Sequence, residues 1–132
     1  RKKVPEGERA AGPRVVVVCS GARRAVDVIK KLAVFGCPVA KLFSKHLKLE
    51  DQQKLLQNKR KAPLAVGTPN RLYKLLSTGD LKLRDTSIII IDMNKDVKNF
   101  SILQVHGVCE DLANVIKDFI KPELNHLKVA LC

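Results

Sequence analysis

The feature that most limits this chain is a set of five short aliphatic runs, each too brief to make a helix. "RVVVVC" at 14–19 is one, and "TSIIIID" at 86–92 is the most apolar segment in the sequence. β-Branched residues crowd a helix and suit an extended chain, so runs of this length read as strands. Neither run alternates apolar with polar residues, which is the mark of a strand covered on both faces. "PVAKLF" at 38–43, "APLAVG" at 62–67 and "LKVALC" at 127–132 complete the set.

Helical spacing fills the gaps between them. "SGARRAVDVIKKLAVFG" places Ala25, Val28, Ile29 and Leu32 on one face, with Ser20 as the expected N-cap and Gly36 as the stop. "LKLEDQQKLLQNK" sets Leu49, Gln53 and Leu56 on one side, and a helix is expected over 69–76. "VCEDLANVIKDFI" gives a stripe of Val108, Leu112, Val115, Ile116 and Phe119, which Pro122 ends. Residues 93–107 fit neither period. Strands alternating with helices predict an α/β fold, a parallel sheet with helices on both faces. Ligands of such sheets bind beyond the carboxyl ends of the strands. That edge gathers 19–21, 43–46, 67–71 and 92–95.

A chain of 132 residues supports one domain, and with 45% hydrophobic but 4% aromatic residues its core must be Val, Ile, Leu and Ala. No run approaches the roughly 18 apolar residues of a membrane span, and no apolar run follows the basic start closely enough for a signal peptide. Residues 1–13, "RKKVPEGERAAGP", read as a basic tail or linker ahead of a domain over 14–132. The first residue is not Met, so a longer parent chain is expected. Cys19, Cys37, Cys109 and Cys132 form no CxxC pair and are expected to be reduced and buried, and His46, His106 and His126 add no metal-ligand spacing.

Charge gives the first functional clue. The net charge is +12. Residues 1–31 hold 9 Lys or Arg against 3 acids and residues 41–61 hold 7 against 2, whereas residues 62–132 are near balance at 9 against 8. Excess this concentrated favours a polyanion, because releasing counterions from phosphates drives such binding. Nucleic acid is favoured over membrane, since no basic amphipathic helix carries large apolar anchors.

The order of turns resembles the first RecA-like domain of DEAD-box RNA helicases. "VGTPNRLYKLL" is similar to that family's strand-TPGR-helix motif, in register at Thr68, Pro69 and Arg71. "VVVVCSGARRAVDVI" resembles the strand and helix around PTRELA, and "IIIIDMNKD" stands where the strand ends in DEAD. No Gly-x-x-x-x-Gly-Lys-[Ser/Thr] loop is present. The DEAD position reads Asp92-Met93-Asn94-Lys95, so the residue that helps activate water is Met and the last acid is a cation. Phosphoryl transfer needs oxygen ligands for magnesium and a group that positions the water, so ATPase activity and a nucleotide cofactor are not expected.

"KLFSKHLKLEDQQKLL" together with "VGTPNRLYKLL" resembles more closely the Cms ribosomal small subunit homologue family, with a departure after Ile91. The resemblance implies a RecA-like (P-loop NTPase-like) fold without a nucleotide-binding loop. It also implies a nucleolar, non-catalytic RNA-binding or scaffold factor in small-subunit ribosome biogenesis. Its expected partners are pre-ribosomal RNA and ribosome-assembly proteins, with no membrane. Alternatives are a fragment of an active helicase or a protein-interaction module.

The expected RNA-backbone contacts are Thr68, Asn70 and Arg71 in the TPGR-like turn, with Arg23 or Arg24 in the first turn of their helix and Lys45 and His46 in the second turn. Thr68 with Pro69 also makes a sound helix start with no ligand. Arg71 is expected at the surface. Asp92 is expected to be a structural strand-end carboxylate. Aromatic residues are scattered, so contacts should be to backbone rather than to bases.

Overall fold

All five aliphatic runs become strands of one sheet. The computed structural model describes residues 12–45, 47–57 and 63–132. The order is β1 Val15–Val18, α1 Ala22–Leu32, a 3₁₀ turn Ala33–Phe35, β2 Val39–Leu42, α2 Leu49–Gln57, β3 Leu64–Gly67 and α3 Pro69–Ser77. β4 Ile88–Ile91 follows, then α4 Val108–Val115, which runs on through Ile116–Ile120 and Lys121–Glu123 to β5 Lys128–Leu131. The strands lie in the order β2-β3-β1-β4-β5, and each pairing is parallel. Residues 1–11, most of the proposed tail, and residues 58–62 lie outside the described residues, as does His46.

Strand alternation divides the core into two layers. Val16 and Val18 point toward Leu72, Leu75 and Leu76 of α3 and Leu112 and Val115 of α4. Val17 and Cys19 point the other way, toward Ala25, Val28, Ile29 and Leu32 of α1. Helices therefore cover both faces, as the apolar runs predict. Leu42, Leu72 and Leu75 are fully buried, each worth about 1.5–3 kcal/mol of apolar transfer. The β5 edge departs from the expectation. Val129 and Leu131, two residues apart and so on one face of β5, remain exposed, because that face is left uncovered by the helices among the described residues, whereas Ala40 and Leu42 of the other edge strand, β2, are buried.

Helix boundaries differ from the sequence pattern in two informative places. Gly21, not Ser20, occupies the N-cap of α1, and no side chain caps that helix. At the far end Gly36 closes the chain with φ 67°, the left-handed turn expected of it. The α4 stripe holds through Val115 and then breaks. Residues 116–120 wind as a wider π-turn, which turns Ile116 outward and buries Ile120 in its place. Phe119 still packs, edge-on to Tyr73 with ring centroids 5.4 Å apart.

Gly67 is required by close approach rather than by a turn. A Cβ built there would lie 2.5 Å from the Leu42 carbonyl oxygen and 3.0 Å from Leu72 Cδ2. The end of β3 thus sits against β2 and the start of α3 with no room for a side chain. Residues just before β1 are tied in as well, since buried Thr86 donates its hydroxyl to the Pro13 carbonyl at 2.7 Å.

Candidate functional site

Because every pairing is parallel, the strands release the chain at one shared edge, where the four turns converge as expected. The backbone ladder runs a step past the strands. Cys19 donates to the Gly67 carbonyl, Thr68 to the Leu42 carbonyl and Asp92 to the Val18 carbonyl. The turn residues are therefore held as firmly as the sheet itself.

Arg24 leaves the first turn of α1 and crosses to the end of β4. Its Nε donates to Asp92 Oδ2 at 2.7 Å and its Nη2 to Oδ1 at 3.1 Å. The Asp92 side chain is 8% exposed, so this forked pair sits in a poorly solvated place. A cation at a helix N-terminus costs about 0.3–1 kcal/mol against the dipole. Each charge-assisted hydrogen bond returns about 1.5–3 kcal/mol, so the pairing wins. The bond to Asp92 raises the Arg24 pKa further, outweighing desolvation. Beneath the pair, Cys19 is fully buried, and burial, assisted by the Asp92 charge, pushes its thiol up to about 12. Of the other cysteines, Cys37 and Cys132 are exposed rather than buried.

Arg71 corrects an expectation. It is buried, at 7% exposure, not at the surface. Its Nη1 donates to Gln52 Oε1 at 2.6 Å and to the Leu47 carbonyl at 3.2 Å. Gln52 in turn donates its amide to the carbonyls of Lys41 and Phe43, both at 2.8 Å. The guanidinium and amide thus clamp the start of α3, the end of β2 and the start of α2 together. Sequence reading missed Gln52 and chose Gln53 for that helix face. Position 52 is three residues after Leu49 and four before Leu56, so helical spacing was available to find it.

Other expected contacts stay at the surface. Arg23, Lys45 and Asn70 are exposed, with Lys41 and Lys48 near Lys45 in sequence. Thr68 is half-buried at the N-cap of α3, and its hydroxyl makes no capping bond, although Pro69 takes the first helical position. At the DEAD-like position, Asp92 is buried, Met93 packs partly against the core, and Asn94 and Lys95 are exposed. Among the described residues, no three His, Cys, Asp or Glu side chains cluster as a metal site would need, and no helix is long and apolar enough to cross a membrane.

The fold is RecA-like. It superposes on S. cerevisiae Dbp5, a DEAD-box helicase solved with Nup159, Gle1 and ADP, with a TM-score of 0.58 and 16% identity over 94% of this chain and 30% of that one. Among curated proteins, Protein CMS1 of Chaetomium thermophilum is 35% identical over 121 residues, covering 88% of this chain and 48% of its own length. Protein CMSS1 of Homo sapiens is 39% identical over 106 residues, covering 78% of this chain and 38% of its own. The chain thus spans about half or less of the curated relatives it matches. With a family model matching residues 1–132 throughout, the chain belongs to the CMS1 family, described as a U3-containing 90S pre-ribosomal complex subunit.

Proposed function

We propose that this chain is a non-catalytic, RecA-like RNA-binding and scaffold domain, spanning 14–132, that acts in small-subunit ribosome assembly in the nucleolus. The observation that carries the non-catalytic part is the Arg24–Asp92 fork. Both carboxylate oxygens that would face a nucleotide-bound cation are engaged by a guanidinium at 2.7 and 3.1 Å. Met93 can accept no proton, and Lys95 brings positive charge to the same turn.

The RNA part rests on the exposed cations. Arg23 and Lys45 flank the carboxyl edge, with Asn70 and the uncapped Thr68 hydroxyl at the α3 N-terminus between the two turns. Amides at a helix start and a free hydroxyl suit a phosphate. Arg24 and Arg71 serve the site by fixing the shape of these turns rather than by touching the strand. The 90S description of the family supports pre-ribosomal RNA and assembly proteins as the partners.

Filter binding of a ribosomal RNA fragment to the full-length protein across a salt series tests this reading. Affinity should fall steeply with salt, with Arg23→Glu and Lys45→Glu each weakening binding and flattening the slope by about one phosphate contact. Absent or salt-independent binding would favour a module for protein partners. RNA-stimulated ATP hydrolysis by the full-length protein would overturn the non-catalytic assignment.

A further inference from the structure

The segment between β4 and α4, residues 93–107, matches no regular period and takes no part in the proposed RNA contacts. It is nonetheless a built loop. Asp96 accepts the amides of Lys98 and Phe100 on its Oδ1, both at 2.9 Å, and exchanges backbone bonds with Asn99 and Phe100. Asn99 adopts φ 68°, a left-handed turn that Asn tolerates. Ile102 is fully buried and pins the loop to the core.

Against that fixed frame, three apolar side chains face solvent. Val97 is 89% exposed, Phe100 44% and Leu103 52%. The Asp96 turn and buried Ile102 hold the loop on either side of Phe100. Lys95 and Lys98 are exposed beside them. Asp96 is the one acid between 93 and 107, and its carboxylate is drawn into the turn. Three exposed apolar side chains within seven residues, with two exposed lysines beside them, make this loop a candidate interaction surface.

We propose that this loop is a docking platform for an acidic segment of a partner protein. The partner's apolar side chains pack on Val97, Phe100 and Leu103, and its carboxylates face Lys95 and Lys98. Charge complementarity selects the acidic character. Two of the three apolar groups are aliphatic, which favours a peptide over bases, since base stacking uses aromatic faces.

Panning a random peptide display library on the full-length protein, with Val97→Ser/Phe100→Ser/Leu103→Ser as counter-selection, tests the proposal. Enriched peptides should place Asp or Glu around Leu, Ile or Phe, and should bind the triple variant about tenfold or more weakly. Failure to enrich peptides over the variant, or enrichment of neutral or basic ones, overturns it. Loss of affinity for a single-stranded oligouridine on the same substitutions would make the loop a base-stacking surface and equally overturn it. Thermal unfolding of the variant should match the parent, and should it not, Leu103→Ser alone carries the same comparison.

Discussion

Replacing Arg71 by Ala should destabilise the domain rather than simply weaken a surface contact. The change removes two hydrogen bonds from a charged donor, at 2.6 Å to Gln52 Oε1 and 3.2 Å to the Leu47 carbonyl. At about 1.5–3 kcal/mol each, these total about 4 kcal/mol. Part returns on mutation, because Arg71 Nε is buried with no hydrogen-bond partner, and its loss relieves roughly 1–2 kcal/mol of desolvation. The net expectation is about 2–3 kcal/mol, or a fall in Tm of roughly 10 °C for a domain of this size. Urea unfolding should show a lower midpoint at unchanged m-value. Gln52→Ala alone should cost about 1–2 kcal/mol through its two carbonyl partners, and the double variant should cost less than the sum, with coupling of about 1 kcal/mol or more. A stability change below about 0.5 kcal/mol for Arg71→Ala, with no coupling to Gln52 and a collapse of RNA affinity, would refute the clamp.

The other cases follow from the same edge. Asp92→Asn should cost about 1–3 kcal/mol by weakening the fork that holds Arg24, measured by denaturant midpoint, whereas Arg23→Ala, on the exposed neighbour, should be within about 0.5 kcal/mol of the parent. Gly67→Ala should cost about 2 kcal/mol or more, because the added methyl meets the Leu42 carbonyl and cannot be absorbed by a rotamer change. The Cys19 thiol, raised from 9.0 to about 12, keeps its proton in the folded state while the unfolded chain loses it. Its contribution is therefore complete below pH 9 and is lost as pH rises toward 12, at up to about 1.4 kcal/mol per pH unit. Cys19→Ala should flatten that alkaline decline in a pH series of unfolding midpoints. Cys37 and Cys132 should react with iodoacetamide in the native protein while Cys19 does not.

The turns around the carboxyl edge show how far local pattern reaches. Thr68 and Pro69 do begin a helix, and Gly36 does end one, because capping preferences act over a few residues. Arg71 sits in the TPGR-like turn where an RNA contact is expected, and its residue type gave no sign of burial. Its burial depends on Gln52, 19 residues earlier, and on the Leu47 carbonyl, neither of which spacing within α3 can reveal. Arg24 shows the same limit in a more legible form. A cation in the first turn of a helix signals an unusual partner, but Asp92, 68 residues away, becomes that partner only when β1 pairs with β4. The misplaced Ile116 has a different cause, since the stripe assumed 3.6 residues per turn through a stretch that winds wider.

The aliphatic runs and the helical spacing between them determined the parallel α/β layering, because apolar burial is read from composition and period along the chain. The Met and Lys at the DEAD-like position likewise carry the expectation that ATPase chemistry is absent, from residue types alone. Tertiary structure alone decided which cations remain at the surface. Lys and Arg carry no local signal of their partners, and whether a guanidinium meets a carboxylate, an amide or water depends on which distant segments the sheet brings beside it. Arg24 and Arg71 were drawn inward in this way, which leaves Arg23 and Lys45 facing solvent.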